Sequence, residues 1–265
     1  MNCLKIASCM AENAEPFCQS VAEYIHAKVS LSTQYVADMP WQERERLFDA
    51  GRIHILWLCG LPYIEKSRRA DVKMELLAVP VPKGRRYGGR PVYFSDVVVK
   101  RDSPFNSFEH LRGATWAYNE PRSHSGYNVV RAHLAARGVG VGFFGKVIES
   151  GAHVVSLDLL LAARVDGAAI DSMVLDWVRE QRPEVNDRIR VIETMGPSPI
   201  PPWVVSTRLP VEMRTSLRSL LLDMHHDPVG RDVLKLGSIS RFLPSRDADY
   251  DPIRRMTLAA ERVSL

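Results

Sequence analysis

Two short segments of this chain carry residue types suited to holding an oxyanion. The first is Pro121-Arg122-Ser123-His124-Ser125-Gly126-Tyr127, which runs into a stretch whose apolar positions, Tyr127, Val130 and Leu134, recur at helical spacing and which Gly138 closes. Small hydroxyl residues directly before a helix accept hydrogen bonds from its first N–H groups, and the remaining N–H groups point along the axis at whatever sits there. The partial positive charge of a helix start favours an anion, and Gly126 lets a ligand approach the backbone. The second segment, Ser150-Gly151-Ala152-His153, is another polar turn before another helix, whose inner stripe is Leu157, Leu160 and Leu161. Ser123, His124 and Ser125 from one helix start and Ser150 and His153 from the other can converge on one anion. Spacing alone leaves open a plainer alternative, in which both segments are ordinary caps.

The same side chains include the makings of a catalytic set. Ser125, His124, His153 and Asp171 offer a nucleophile, imidazole bases and a carboxylate, but Ser-His-Ser-Gly is not the Gly-x-Ser-x-Gly of a nucleophile elbow. Adjacency of Ser and His in sequence does not make a productive hydrogen bond, and Asp171-Ser172 reads first as a helix cap. His225-His226-Asp227 precedes Pro228 at a helix end, where imidazoles complement the dipole. Cys3, Cys9, Cys18 and Cys59 show neither paired spacing nor accompanying His at zinc spacing. Gly138-Val139-Gly140-Val141-Gly142 lacks the strand before and the helix after that a dinucleotide fingerprint requires. No metal and no cofactor are expected.

The elements that must position these segments alternate. Residues 4–9 predict a strand, Phe17, Val21 and Ile25 the inner face of a helix, Pro40 to Gly51 a second helix, and residues 53–58 a strand apolar apart from His54. Strands that are apolar on both faces and separated by helices imply a parallel sheet covered on both sides. Two more strands, residues 74–81 and 92–99, complete this part, and after Val99 the strand–helix alternation restarts. Pro197, Pro199, Pro201 and Pro202 mark a crossover, and Trp203-Val204-Val205 a strand returning to the first part. The expected fold is α/β and two-lobed, each lobe a mainly parallel sheet flanked by helices, with a ligand cleft between them. Lobe 1 takes residues 1–98 and 203–265, and lobe 2 is the insertion 99–202.

Composition excludes several other classes. Of 265 residues 46% are hydrophobic and 25% charged, too apolar for a disordered chain, and 16 Gly with 17 Pro are too few for a low-complexity one. A net charge of +4, with the basic residues scattered, argues against a nucleic-acid partner. The best apolar run, residues 53–58, falls far short of the roughly 18 residues of a membrane span. Met-Asn-Cys-Leu-Lys-Ile-Ala-Ser-Cys-Met has no basic region followed by a long apolar one, so the chain as printed is expected in the cytoplasm if its start is complete. A monomer or weak dimer is expected.

Several further segments, taken in order, resemble a known family. They are Tyr93-Phe94-Ser95 with Val97-Val98-Val99 and Arg101-Asp102-Ser103-Pro104; Phe108-Glu109-His110-Leu111-Arg112-Gly113; the two polar turns above; Val165-Asp166-Gly167-Ala168-Ala169-Ile170-Asp171-Ser172; and Arg241-Phe242-Leu243-Pro244 with Asp249-Tyr250-Asp251-Pro252-Ile253. Their order and spacing, over most of the chain, are similar to those of the substrate-binding proteins of phosphate, phosphite and phosphonate ABC transporters, which have a type II periplasmic-binding-protein fold. The resemblance implies a non-catalytic protein that captures a small oxyanion for an ABC permease outside the inner membrane, in tension with the bare start. It implies Ser123, His124 and Ser125 as hydroxyl and backbone donors, His153 as a second donor, and Tyr63 and Tyr93 as contacts from the first lobe; Asp171 joins them as a carboxylate facing the cleft. Tyr63 lies in Gly60-Leu61-Pro62-Tyr63, just past the apolar strand, where parallel sheets present ligand loops. Two departures stand out. His124 occupies the middle of the family's Ser-Thr-Ser, and Pro199-Ile200-Pro201-Pro202 stands where aminoalkylphosphonate binders carry an acid for the ligand amine, which argues against 2-aminoethylphosphonate. The alternative is a cytosolic enzyme or ligand sensor on the same fold, acting on a small anionic metabolite.

Overall fold

The computed structural model describes residues 3–29 and 31–265. Along the chain run β1 (Cys3–Ser8), β2 (Ser32–Tyr35), β3 (Ile55–Trp57), β4 (Met74–Pro82), β5 (Val92–Lys100), β6 (Thr115–Tyr118), β7 (Lys146–Glu149), β8 (Gly167–Asp171), β9 (Ile189–Pro199), β10 (Trp203–Ser206) and β11 (Ile239–Leu243). They form two sheets in two compact units, one of Met1–Val92 with Pro199–Tyr250 and one of Tyr93–Ser198 with Asp251–Leu265.

The first unit's sheet has the order β11-β4-β10-β3-β1-β2. Helices connect β1, β2 and β3, and those strands pair in parallel, as crossover connections demand. The returning β10 lies antiparallel between β3 and β4, and β11 antiparallel against β4. That half of the sheet departs from the parallel expectation because β10 is reached from the other unit and not through a crossover helix. Trp57 and Trp203 stack at 5.5 Å between ring centroids, with Phe17 edge-on to both, so the returning strand is locked in by aromatic packing.

The second unit's sheet has the order β7-β6-β8-β5-β9. Here β6 pairs in parallel with both β7 and β8, and β5 runs antiparallel to β8. Each of the three parallel strands leads into a helix, so three helix starts are delivered to one edge of the sheet. The core beneath them joins Val97, Val99, Trp116, Val130 and Leu134 to a pair of phenylalanines. Trp116 stacks on Phe144 at 4.5 Å and Phe108 on Phe143 at 5.0 Å. This packing fixes the helix Val129–Ala136 against the sheet and therefore fixes the turn in front of it.

The unit boundaries differ from those expected of the sequence. Residues 93–98 go with the second unit because β5 pairs with β8 and turns Val97 and Val99 into that unit's core. Residues 199–202 go with the first, where the Ile200 N–H donates to the Pro91 carbonyl at 3.1 Å. Residues 251–265, expected with the first lobe, lie on the second. Met256, Val263 and Leu265 pack against its core, and Arg131 donates through Nε and Nη2 to the carbonyls of Val263 and Ala260, both at 2.6 Å. The chain therefore passes between units three times, at 92/93, 198/199 and 250/251. Among the described residues no helix is long and apolar enough to cross a membrane.

The Arg131 clasp yields a stability test. Arg131→Ala removes two charge-assisted hydrogen bonds and should cost roughly 2 kcal/mol. Urea denaturation would register the loss, and limited proteolysis should cut first beyond Tyr250. A variant with unchanged stability and an unchanged cleavage pattern would mean that other contacts hold the C-terminal segment.

Candidate functional site

The three helix starts of the second unit bring most of the sequence candidates together. After β6, Ser123 caps one turn of π-helix, His124–Asn128, and its Oγ accepts the Gly126 N–H at 3.0 Å. After β7, the helix His153–Leu161 opens on His153, whose Nε2 lies 3.0 Å from Ser125 Oγ, with both side chains buried. Gly126 permits that approach: a Cβ at this position would overlap Asn119 Oδ1 and stand 3.1 Å from His153 Cε1. The backbone ties the two turns to each other, with the N–H groups of Ser150 and Gly151 donating to the carbonyls of Tyr118 and Asn119, both at 2.8 Å. Ser150, the other candidate of the second turn, has its hydroxyl within hydrogen-bond distance of the Tyr118 and Ala152 carbonyls and Ser156 Oγ, so it shapes the turn.

After β8, Asp171 caps the helix Ser172–Gln181, its Oδ1 accepting the Met173 N–H at 2.8 Å. Asp171 is the register partner of Ser95 on β5, and side chains of such a pair project from the same face. Ser95 donates its hydroxyl to the Ser125 carbonyl, which places Asp171 on the face that carries the Ser125 turn. Burial pushes its carboxyl up to about 7, against the backbone N–H groups of Met173 and Val174, which pull it down.

His124 does not supply the pocket group that its place between two serines suggested. It is fully buried, with Nε2 at 2.9 Å from Ser198 Oγ and Nδ1 at 3.1 Å from Asn128 Nδ2. Burial lowers its pKa to about 3 and that of His153 to about 4, so both rings are neutral at physiological pH. Tyr93, expected from the first lobe, is instead the first residue of the second unit, and its ring centroid lies 6.3 Å from that of His124. Tyr63 does belong to the first unit, in the first turn of the helix Gly60–Ser67; its hydroxyl donates to Asp247 at 2.8 Å and its ring packs on Tyr250 at 4.5 Å. The sequence reading missed Ser95, Asn119, Asn128 and Ser198. Asn119 and Asn128 flank the serine turn closely enough to have been suspected, whereas Ser95 and Ser198 reach it only through strand pairing.

His225 and His226 end a short 3-10 helix, Met224–His226, as expected of a helix end, and Asp227 caps the next helix, Pro228–Leu236, accepting the Val229 N–H at 3.0 Å and also binding Tyr24 and Lys28. Among the described residues no group of His, Cys, Asp and Glu is placed to hold a metal ion.

An α/β chain that leaves its first sheet after β4 and returns as an antiparallel strand between β3 and β4, with a second sheet built in between, has the architecture of a type II periplasmic binding protein. Within that architecture the chain belongs to the family described as the periplasmic substrate-binding proteins of phosphonate ABC transporters, whose model matches residues 10–250. By that description, members of this family are periplasmic and bind substrate. The chain is 24% identical over 215 residues to the phosphonates-binding periplasmic protein of Escherichia coli K12, covering 79% of this chain and 62% of that protein's length. A binding protein of a Pseudomonas aeruginosa ABC phosphonate transporter superposes with a TM-score of 0.85 at 20% identity, over 98% of this chain and 86% of the other. A Prochlorococcus marinus protein solved with methylphosphonate superposes with a TM-score of 0.81 at 14% identity, over 99% of each chain.

The buried titrating groups give opposed pH dependences. His124 and His153 titrate near 6.5 when unfolded but near 3 and 4 in the fold, so the unfolded chain takes up their protons first and stability falls as pH drops from about 6.5 to about 4. Asp171 is raised from 3.8 to about 7, so the fold binds its proton first and gains stability over about the same acid range. Asp171→Asn, which keeps a capping side chain, should therefore steepen the loss of stability between pH 7 and pH 4.5, and His153→Gln should flatten it. Urea unfolding at both pH values measures this; parallel pH profiles for wild type and Asp171→Asn would show that the buried carboxyl is not protonated early.

Proposed function

We propose that this chain is a solute-binding protein that holds a small oxyanion of the phosphonate, phosphite or phosphate kind at the strand ends of its second unit, for delivery to an ABC permease. The observation that carries this reading is the buried Ser125–His153 pair, 3.0 Å apart at the converging starts of two helices. In the ligand-free state the two side chains hydrogen-bond to each other. An arriving oxyanion takes a hydrogen bond from the Ser125 hydroxyl and one from His153 Nε2–H, with the helix starts adding partial positive charge. These donors are neutral, so the site avoids burying a fixed countercharge in the empty state. The methylphosphonate found in the Prochlorococcus marinus relative supports the choice of ligand class. The family's periplasmic place is part of the same reading, since a permease collects its solute there.

Isothermal titration with methylphosphonate, phosphite, phosphate and sulfate tests the proposal. At least one phosphorus oxyanion should bind, and Ser125→Ala or His153→Ala should weaken it by about tenfold or more, the scale of one lost charge-assisted hydrogen bond. Gly126→Ala, by forcing Asn119 and His153 apart, should weaken it at least as much. 2-Aminoethylphosphonate should bind less tightly than methylphosphonate, because residues 199–202 offer no carboxylate to its amine. No heat with any of these anions would overturn the reading.

A further inference from the structure

His124 stands between two residues of the proposed anion site, yet its ring is spent elsewhere, and its proton can be placed. Thr257 Oγ1 donates to the Ile253 carbonyl at 2.9 Å, so toward Asn128 it can only accept. Asn128 must therefore present its amide NH2 to Thr257, at 3.2 Å, and the second amide hydrogen faces His124 Nδ1 at 3.1 Å. Nδ1 is then the bare nitrogen. Nε2 carries the hydrogen and donates it to Ser198 Oγ at 2.9 Å. A fully buried ring held neutral keeps this tautomer throughout the physiological range.

One branch of this network ends at a passage between units, and the other reaches a helix that follows one, where Thr257 donates to the carbonyl of Ile253, three residues past 250/251. Ser198 is the last residue before the passage at 198/199, and Thr257 lies on the helix Asp251–Ala259 that begins directly after 250/251. Tyr93, the first residue after 92/93, has its ring centroid 6.3 Å from the imidazole. The same His124 contributes its carbonyl to the π turn, accepting the Val129 N–H, and so shares a rigid backbone with Ser123, Ser125 and Gly126. We infer that His124 is a positioning residue that couples the anion-binding turn to all three passages between the units, so that occupancy of the turn and the conformation of the passages influence each other. The coupling is reciprocal by linkage: whatever a ligand does to the passages, a change at the passages does to ligand affinity.

Two variants cut this network without touching Ser123, Ser125, Gly126 or His153. Ser198→Ala removes the acceptor of Nε2–H, and Thr257→Val removes the far end of the Asn128 bridge while keeping the shape of the side chain. In the ligand-free protein, amide hydrogen exchange around residues 91–95, 196–200 and 249–254 should speed up by about three- to tenfold, the scale of one lost hydrogen bond. The decisive readout is remote: Ser198→Ala should speed exchange around residues 249–254 and Thr257→Val around 196–200, which a purely local role would not do. His124→Gln, whose amide N–H can reach Ser198, should behave closer to wild type than His124→Leu. The second arm rests on the proposed function: whichever of methylphosphonate, phosphite or phosphate binds should slow exchange at all three passages in the wild type, and both variants should bind it several-fold more weakly. Unchanged remote exchange in both Ser198→Ala and Thr257→Val overturns the coupling. If none of the three anions binds the wild type, the function reading fails, and the ligand-free exchange still decides whether the network couples the passages.

Discussion

Parallel strands that end at one edge of a sheet deliver the helices that follow them to the same place, and the second unit depends on this. Because β6, β7 and β8 share a direction, three helix starts with their N–H groups arrive side by side. Residues at the starts of helices that follow adjacent strands become neighbours, however far apart in sequence. Ser125 and His153, 28 residues apart, meet for that reason. The stacked rings of Trp116 with Phe144 and Phe108 with Phe143 hold the helices down, so the polar edge inherits its precision from the apolar core.

The local parts of this arrangement were legible in the sequence. Ser123 as a cap, Val130 and Leu134 as an inner stripe, His153 as a helix start and Trp203-Val204-Val205 as a returning strand are all properties of a few neighbouring residues, and the structure has each of them. What could not be read is what depends on direction or distance. The π turn holds one more residue than an α turn, and one residue changes the phase of a helix by about 100°. Which of Ser123, His124 and Ser125 points outward therefore follows from a hydrogen-bond pattern that residue types do not announce, and His124 turned inward. Ser95 is invisible in its own strand, because its role comes from pairing with Asp171, 76 residues later. The place of the C-terminal segment on the second unit differs from the expectation, because part of its docking is Arg131 grasping two backbone carbonyls, an interaction with no sequence signature at the receiving end.

Electrostatically the site is built from groups that keep their charge in reserve. Two imidazoles are neutral because burial makes protonation costly, and the Asp171 carboxyl is raised toward neutrality for the same reason. On the proposed function, an anion entering such a site meets dipoles and N–H groups rather than a permanent ion pair that must first be broken. The slight excess of Lys and Arg over the whole chain has no part in this.

The most consequential departure from the family pattern is also the residue that the sequence reading placed worst. A threonine between the two serines would bring one hydroxyl to the turn; His124 brings a ring with two nitrogens, and the structure uses both, one for Ser198 and one for Asn128. Those partners lie on β9 and, through Thr257, on the C-terminal helix, the two segments that lead into or out of the first unit on the far side of the sequence from the turn. The inward imidazole thus ties the turn to its surroundings by buried, directed bonds. Such bonds are expensive to leave unmade, and this is the physical basis on which the inferred coupling between the turn and the passages rests.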